Sequence, residues 1–200
     1  MPRPSQGGRG FSLPAARRVF FALWPDAAAG AALASLARSV AKARSGRATR
    51  PDQLHVTVAF VGTVAPAAME RLHAAGARAA AAAAPFTLGL DRLGGAARDG
   101  VAWVEASSPP PALTALHEAL AAALGGEGFA LETRAFRPHV TLARRCTRPA
   151  DRLGIAPLSW RADRLALVVS TSAPGGSRYR TDAAWPLSGA VADSIAPTRD

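Results

Sequence analysis

The sequence predicts an α+β fold, or a mixed one, for a chain of 200 residues. The predicted elements run strand, helix, strand, helix, two strands, helix and then several strands, without the strict alternation of a doubly wound parallel sheet. No glycine-rich phosphate loop follows a predicted strand, which argues against a P-loop or a dinucleotide-binding fold. The length is enough for one domain, or for two small lobes that share a core.

The first half of the chain is predicted to hold two strands and two helices after a tail. Residues 1–15 are rich in Pro, Gly, Ser and Arg, a composition typical of a flexible tail. Asp26 is positioned to cap the first helix, and Pro66 lies at the first turn of the second. Apolar runs and Ala-rich segments predict strands at 19–24 and 54–61, the latter ended by Gly62, and helices at 26–43 and 66–84.

The second half is predicted to be richer in strands. Its one helix opens at prolines 109–111, ends at Gly125-Gly126 and carries an apolar face made of Leu113, Leu116, Leu120 and Leu124. Strands are predicted at 86–93 (broken by Gly94-Gly95), 101–105, 129–134, 139–145, 165–170 and 179–185. Residues 16–188 therefore form one folded domain, and residues 189–200 a second flexible tail.

A short motif occurs twice, 84 positions apart, as HVTV at 55–58 and HVTL at 139–142. Each copy lies in a predicted strand after an Arg-containing polar connection, which favours a two-lobed protein built from a duplicated unit. Side chains alternate along a strand. Each copy then presents a histidine, a threonine and an alanine on one face: His55, Thr57 and Ala59 in the first, and His139, Thr141 and Ala143 in the second.

Two histidines and two hydroxyls opposed across a cleft suit in-line attack on a phosphodiester. Because an imidazole has an unperturbed pKa of about 6.5, one histidine can take a proton from the nucleophile while the other protonates the leaving oxygen. The hydroxyls can donate hydrogen bonds to an anionic oxygen between them. No ligand triad of His, Asp or Glu lies near either motif, so we expect neither a metal nor another cofactor. We expect structural roles for His73, His117 and Cys146.

The formal net charge is +10, and nearly all the basic residues are Arg. Clustered cations indicate a polyanionic partner such as nucleic acid, whereas an Ala/Arg-biased composition would explain the same charge without one. The single cysteine excludes an internal disulfide and fits a reducing compartment. No apolar run is long enough for a signal peptide or a membrane span, so we expect a cytoplasmic protein without membrane contact.

The paired motifs resemble those of the two-histidine phosphoesterase superfamily, and more specifically those of the RNA 2′,3′-cyclic phosphodiesterases, also called 2′-5′ RNA ligases. Further segments are similar to that family in the same order: RVFFALWPD, PFTLGLDRLG, VAWVE, FRPHVTLARR and APGGSRY. The similarity covers roughly residues 17–187. It implies a bilobal, duplicated α+β fold in which two antiparallel sheets, related by a pseudo-twofold axis, line a central cleft with the helices outside.

The resemblance also implies an activity, the metal-free opening of a terminal RNA 2′,3′-cyclic phosphate to a 2′-phosphate. It makes His55 the proton donor to the departing O3′ and His139 the base that activates water. Four residues would contact the substrate: Thr57 and Thr141 at phosphate oxygens, Arg144 as a cation, and Phe60 beside the nucleoside. The implied partner is an RNA with a 2′,3′-cyclic phosphate end, tRNA fragments included, and we expect a monomer.

Two features depart from this expectation. Strict alternation puts Arg144 and Phe60 on the core side of their strands, so that Arg144 reaches a phosphate only if the strand ends, twists or bulges there. Relatives often carry a tryptophan shortly before the first motif, where this chain has RATR at 47–50. Arg47 and Arg50 are candidates to replace the contact of that tryptophan.

The sequence leaves three alternative functions open. The same residues serve formation of a 2′-5′ RNA linkage by the reverse reaction, or hydrolysis of another small cyclic phosphodiester. A non-catalytic RNA-binding module would instead use arginines together with Trp24, Trp103 and Trp185. Those tryptophans lie in or beside apolar strands, so the sequence assigns them to the core.

Overall fold

The computed structural model describes residues 16–96, 98–131, 135–148, 152–174 and 176–190. Within them the α+β prediction is confirmed, with three helices beside a large antiparallel sheet. The helices are α1 (Ala27–Ala43), α2 (Met69–Ala82) and α3 (Pro111–Gly126). The strands are β1 (Arg17–Leu23), β2 (Arg47–Ala48), β3 (Val56–Val64), β4 (Phe86–Ala96), β5 (Val101–Glu105), β6 (His139–Arg144), β7 (Leu153–Ala162), β8 (Arg164–Ala173) and β9 (Gly176–Pro186).

The two expected sheets are the halves of one antiparallel sheet. Its strand order is β7-β4-β5-β6-β3-β1-β8-β9, with β2 paired to β6 at one side. The halves meet where β3 and β6, the two motif strands, lie side by side. A single residue pair, Val56 with Val140, joins them. The duplicated motifs therefore occupy the centre of the sheet, in neighbouring antiparallel strands.

The helices pack their apolar faces against the sheet and against each other. In α1 the Asp26 carboxylate caps the first turn by accepting from the Ala29 amide at 2.8 Å, as predicted. This helix lies against β6 and β7, whereas α2 lies against β8, β9 and α3. The predicted leucine face of α3 is fully buried, with 0% exposure at Leu113, Leu116, Leu120 and Leu124. None of the described helices combines the length and the apolarity that a membrane span requires.

The glycines predicted to end elements differ in outcome. The third helix ends at Gly126, as predicted, and Gly128 just after it takes the left-handed φ of 82°. The fourth strand continues through Gly94-Gly95 to Ala96. A Cβ on Gly94 would lie 2.8 Å from Nε1 of Trp103 on the paired strand, so this glycine permits a close approach and not a chain reversal.

The sequence prediction missed two strands, and the described part of a third predicted strand is not extended in a sheet. The edge strand β7 contains Gly154 and Pro157, leaves most of its side chains exposed and pairs only with β4. The two-residue β2 falls in the connection predicted to be polar. Residues 129–131 form no strand, and the remainder of that predicted strand lies outside the described residues, as do residues 1–15 and 191–200.

Candidate active site

All six residues singled out by sequence line one cleft of about 750 Å³ on the open face of the sheet. They are His55, Thr57, Phe60, His139, Thr141 and Arg144. The cleft lies over the junction between β3 and β6, so both lobes contribute to it. Residues from β1, β2 and β9, far apart in sequence, complete the walls.

The register of the two motif strands explains how the polar side chains meet. Val56 and Val140 are paired and fully buried, so the residues on either side of each valine point to the opposite face, into the cleft. Extending the antiparallel register by one residue in each direction sets His55 opposite Thr141 and Thr57 opposite His139. The two imidazoles and the two hydroxyls therefore occupy the alternate corners of a small square.

Both histidines are oriented in the same way by backbone carbonyls. The Nδ1 of His55 lies 2.7 Å from the Gln53 carbonyl oxygen, and the Nδ1 of His139 lies 2.8 Å from that of Arg137. A carbonyl only accepts, so each neutral ring carries its proton on Nδ1 and turns Nε2 towards the cleft. The Nε2 of His55 then accepts from the Thr57 hydroxyl at 3.1 Å. Each imidazole is thus set to exchange a proton through Nε2.

The surroundings of His55 are aromatic. Phe20 stacks on its ring at 4.9 Å, and Trp24 and Tyr179 approach at 5.3 Å and 5.5 Å. Burial lowers the pKa of His55 from 6.5 to about 4; the carbonyl bond opposes the shift, and the positive charges of His139 and Arg144 add to it. The free cleft therefore holds a neutral imidazole at this position near pH 7.

The surroundings of His139 are more open, with one aromatic neighbour among the described residues. Trp103 lies 5.8 Å away, centroid to centroid. Its indole Nε1 donates to Glu105 at 2.9 Å, and the same carboxylate accepts from Arg92 Nε at 3.0 Å. Glu105 is only 6% exposed, so this buried carboxylate holds a fixed charge-assisted network beside His139.

Two β-bulges correct the alternation predicted from sequence. In β3 the register against β1 jumps so that Val58 is an extra residue, and Ala59 then packs in the core with 5% exposure. Phe60, predicted to face the core, is 36% exposed in the cleft. A bulge puts two consecutive side chains on one face and returns the next side chain to the other face.

The second bulge repeats the first at the matching place of β6. Leu142 is the extra residue against β5, and it and Ala143 are both fully buried. Arg144 consequently leaves the core side and lines the cleft as an exposed cation. The structural condition that Arg144 needed for reaching a phosphate, a bulge in its strand, is present.

Each bulge carbonyl has a specific donor. The Nδ1 of His117, on α3, donates to the Val58 carbonyl at 2.8 Å, and the backbone amide of Thr49, just after β2, donates to the Leu142 carbonyl at 2.8 Å. A buried carbonyl left unpaired would destabilise the bulge. His117 lies in a helix and helps to pack it, as predicted. Nothing in the sequence indicates its contact with a motif strand.

Arginines are prominent in the lining of the cleft. Arg18 lies over the ring of Phe60 at 4.9 Å, and Arg47 pairs across the strands with Arg144. Arg50 also lines the cleft, but its guanidinium is bound by Asp52. No carboxylate occurs among the described residues that line this cleft, so its field favours an anion.

Two of the three tryptophans assigned to the core do pack against it: Trp185 against the main core, and Trp24 against a smaller buried cluster that includes Phe20 and Val168. Trp24 also contacts His55, whereas Trp103 lies beside His139 at the site. The only cysteine, Cys146, also packs against the main core. In the part of the chain that the structure describes, no three His, Cys, Asp or Glu side chains lie close enough to hold a metal ion.

Comparison with known proteins places this architecture. Residues 24–173 match the 2′-5′ RNA ligase superfamily. The chain is 31% identical over 147 residues to the RNA 2′,3′-cyclic phosphodiesterase of Escherichia coli strain K12, across 72% of this chain and 81% of that protein. It is 31% identical over 171 residues to the RNA 2′,3′-cyclic phosphodiesterase of Thermus thermophilus, across 81% and 86% of the two chains.

The fold agrees with these sequence matches. A crystal structure of E. coli LigT complexed with 3′-AMP is similar to this chain with a TM-score of 0.78 and 28% identity, covering 86% of this chain and 99% of the other. The matched residues 24–173 contain both histidine motifs and both bulges. On the strength of these sequence and fold matches, the chain belongs to the 2′-5′ RNA ligase superfamily.

Proposed function

We propose that this protein hydrolyses RNA 2′,3′-cyclic phosphate ends to 2′-phosphomonoesters through histidine acid–base catalysis. The observation that carries the proposal is the pair of imidazoles in one arginine-lined cleft, each with Nδ1 bound to a backbone carbonyl. The curated relatives in E. coli and T. thermophilus are named for this activity. E. coli LigT has been crystallised with 3′-AMP and with phosphate, which supports a phosphate-binding cleft in this fold.

The reaction divides the proton transfers between the two histidines. His139 Nε2 takes a proton from water as the water oxygen bonds to phosphorus. The bond from phosphorus to O3′ breaks, and O3′ takes a proton from His55 Nε2, leaving the phosphate on O2′. Each transfer contributes roughly 10²–10⁴-fold to the rate. After the reaction His139 carries the proton that His55 has lost, and exchange with solvent restores both.

The remaining groups stabilise the charge on the phosphate. Thr57 and Thr141 present hydroxyls beside the histidines on the same face of the sheet, and Arg144 adds a permanent cation. In the free cleft the Thr57 hydroxyl donates to neutral His55, and it turns its hydrogen to the phosphate once that ring is protonated. The three donors then stabilise the charge that develops on the phosphate oxygens. The proposal needs no metal ion, because a charged phosphate oxygen already has these partners.

The lowered pKa of His55 bears directly on its role as proton donor. In the free cleft the ring is neutral near pH 7, whereas a donor must begin the reaction protonated. A phosphodiester anion bound beside the ring favours the imidazolium and so raises the pKa of His55. We therefore expect substrate binding to be linked to proton uptake at His55.

The direct test is hydrolysis of a short RNA that ends in a 2′,3′-cyclic phosphate, in the presence of a chelator. We expect a 2′-phosphate product, and a loss of about 10²–10⁴-fold in kcat for His55→Asn and for His139→Asn. A 3′-phosphate product would refute the direction of ring opening. Full activity in His139→Asn would refute the base assignment, and loss of activity on chelation would refute the metal-free mechanism.

A sulfur substitution separates the acid from the base. In a substrate whose bridging O3′ is replaced by sulfur, the leaving thiolate needs no proton because its pKa is far lower than that of an alcohol. His55→Asn should then recover most of its lost rate, whereas His139→Asn should not. Recovery of the rate in His139→Asn and not in His55→Asn would instead make His139 the acid and His55 the base. tRNA fragments as the natural substrate and a monomeric state stay predictions.

A further inference from the structure

We propose that Glu105 is a positioning residue for His139 and that it acts through the indole of Trp103. The inference rests on the proposed function and adds to it a residue that lies outside both histidine motifs. Among the described residues Glu105 is the one charged side chain that is buried, with 6% exposure. Removing a carboxylate from water costs free energy that hydrogen bonds and an opposite charge must offset.

Glu105 lies in a row of side chains that crosses four strands of the sheet. Arg92 on β4 is paired with Glu105 on β5, and Glu105 is paired with His139 on β6. The register of β6 with β3 sets Thr57 opposite His139. Paired side chains of antiparallel strands share a face, with Cβ atoms about 4.5–5.5 Å apart. Glu105 and Thr57 therefore flank His139 on its two sides.

The neighbouring row places the indole against the proposed base. Gly94, Trp103 and Thr141 are paired in succession across β4, β5 and β6. A Cβ on Gly94 would lie 2.8 Å from the indole Nε1, so the ring occupies the space above this glycine. The ring also reaches His139, with the two ring centroids 5.8 Å apart. The bond from Nε1 to Glu105, at 2.9 Å, fixes which way the edge of the indole points.

His139 depends on this indole more than His55 depends on any one neighbour. His55 is packed by three aromatic rings, and its Nε2 is bonded to the Thr57 hydroxyl. His139 has the Arg137 carbonyl at Nδ1 and, among the described residues, the single aromatic neighbour Trp103. The carbonyl holds one atom of the imidazole, and the indole limits how far the ring turns about that bond. A misplacement of about 1 Å lowers the rate of a reaction by about 10²-fold.

A carboxylate suits this role because it has one oxygen for each of two donors. Oε2 accepts from Trp103, and Oε1 accepts from Arg92 Nε at 3.0 Å. The bond from Arg92 keeps the carboxylate turned so that Oε2 faces the indole. Without Glu105 the indole Nε1 would lose its acceptor, and the ring would be free to turn away from His139.

The first test compares Glu105→Leu with Glu105→Gln in the hydrolysis of a short RNA that ends in a 2′,3′-cyclic phosphate. We expect Glu105→Leu to lower kcat about ten- to 10²-fold and to keep KM within about twofold, because the base is displaced while phosphate binding is kept. Glu105→Gln retains an oxygen for the indole and should recover most of the lost rate. Equal kcat in the wild type and Glu105→Leu would overturn this inference alone, whereas an inactive wild type would overturn the proposed function.

Asp182→Leu is the matched control for the loss of a carboxylate. Asp182 also accepts from two side chains, His73 at 2.8 Å and Arg180 at 2.6 Å, but it is absent from the described lining of the cleft. This variant should leave kcat unchanged. A loss equal to that of Glu105→Leu would show a general effect of removing an ion pair and would contradict the assignment.

A double-variant cycle tests whether Glu105 acts through Trp103. Trp103→Phe keeps a ring beside His139 but removes Nε1, so it should lower kcat about tenfold even though Glu105 and Arg92 remain paired. Adding Glu105→Leu to Trp103→Phe should lower kcat by no more than about a further twofold. Full activity in Trp103→Phe, or two losses that multiply in the double variant, would refute the inference.

The substrate with sulfur in place of the bridging O3′ assigns the defect to the base. Its leaving thiolate needs no proton, so a variant that is impaired only in the acid recovers. Glu105→Leu should stay slow on this substrate, as His139→Asn should. Recovery of Glu105→Leu would place its effect on His55 and would rule out a positioning role towards His139.

Discussion

Replacing His55 by Asn should remove part of the loss in folding stability that the protein shows at low pH. Asn keeps a nitrogen donor for the Gln53 carbonyl, which now lies 2.7 Å from Nδ1, but it does not titrate. The pKa of His55 is about 4 in the folded protein and 6.5 in the unfolded reference. Between these values the unfolded chain binds a proton that the folded chain does not, so stability falls as the pH is lowered.

The size of the effect follows from the pKa shift. A difference of 2.5 units (6.5 minus 4) corresponds to about 3 kcal/mol of stability. This stability is fully present above pH 6.5 and is fully lost only below pH 4. At pH 5 the expected loss is about 2 kcal/mol. The rings of Phe20, Trp24 and Tyr179 are the physical source, because they exclude the water that would otherwise solvate an imidazolium.

Urea unfolding followed by tryptophan fluorescence measures this directly, at pH 7.5 and at pH 5. The wild-type protein should lose about 2 kcal/mol more than His55→Asn between the two conditions. Because the carboxylates titrate in both proteins, the difference isolates His55. Added inorganic phosphate should narrow the difference by raising the pKa of the wild-type ring. Equal losses in the two proteins without phosphate would refute the reasoning about burial.

Two further predictions concern packing and positioning. Gly76→Ala in α2 would set a Cβ 2.5 Å from Trp185 and should destabilise the protein by about 1–3 kcal/mol, whereas Gly125→Ala in α3, with open space, should stabilise it by about 0.5–1 kcal/mol. Urea midpoints that move in the same direction would contradict this. His117→Ala should cost about 1–3 kcal/mol by leaving the Val58 carbonyl unpaired and should lower kcat/KM about ten- to 10²-fold, with recovery in His117→Asn. An equal loss in kcat/KM for both variants would rule out a positioning role.

The elements predicted well from sequence are those whose own residues decide their structure. The third helix has a leucine face at helical spacing, and β5 has the predicted bounds because a turn and a short apolar run define it. The edge strand β7 was missed because it gains its structure by pairing with β4, despite Gly154 and Pro157. The two residues of β2 are recognisable as a strand only through their pairing with β6.

The residues of the candidate site fall into the same two groups, those that their own strand positions and those that depend on a neighbouring strand. The histidines and threonines follow from local alternation, because each pair flanks a buried valine. Phe60 and Arg144 do not follow, because a bulge is defined by the register of a neighbouring strand, and nothing in VAF or LAR marks it. The alternation therefore failed at the same position of both copies.

Because both copies carry a bulge at the same position, the repeated structural unit extends beyond the four residues of the motif. In both copies the fourth and fifth positions enter the core together, which is why a small alanine follows the bulge residue, and the sixth position returns to the cleft. The first and third positions are identical in the two copies, which supports a symmetric pair of proton-transfer groups. The sixth is Phe60 in one copy and Arg144 in the other. In the proposed function, a ring on one side and a cation on the other would let a symmetric pair of histidines bind an asymmetric substrate, with its phosphate towards Arg144 and its nucleoside towards Phe60.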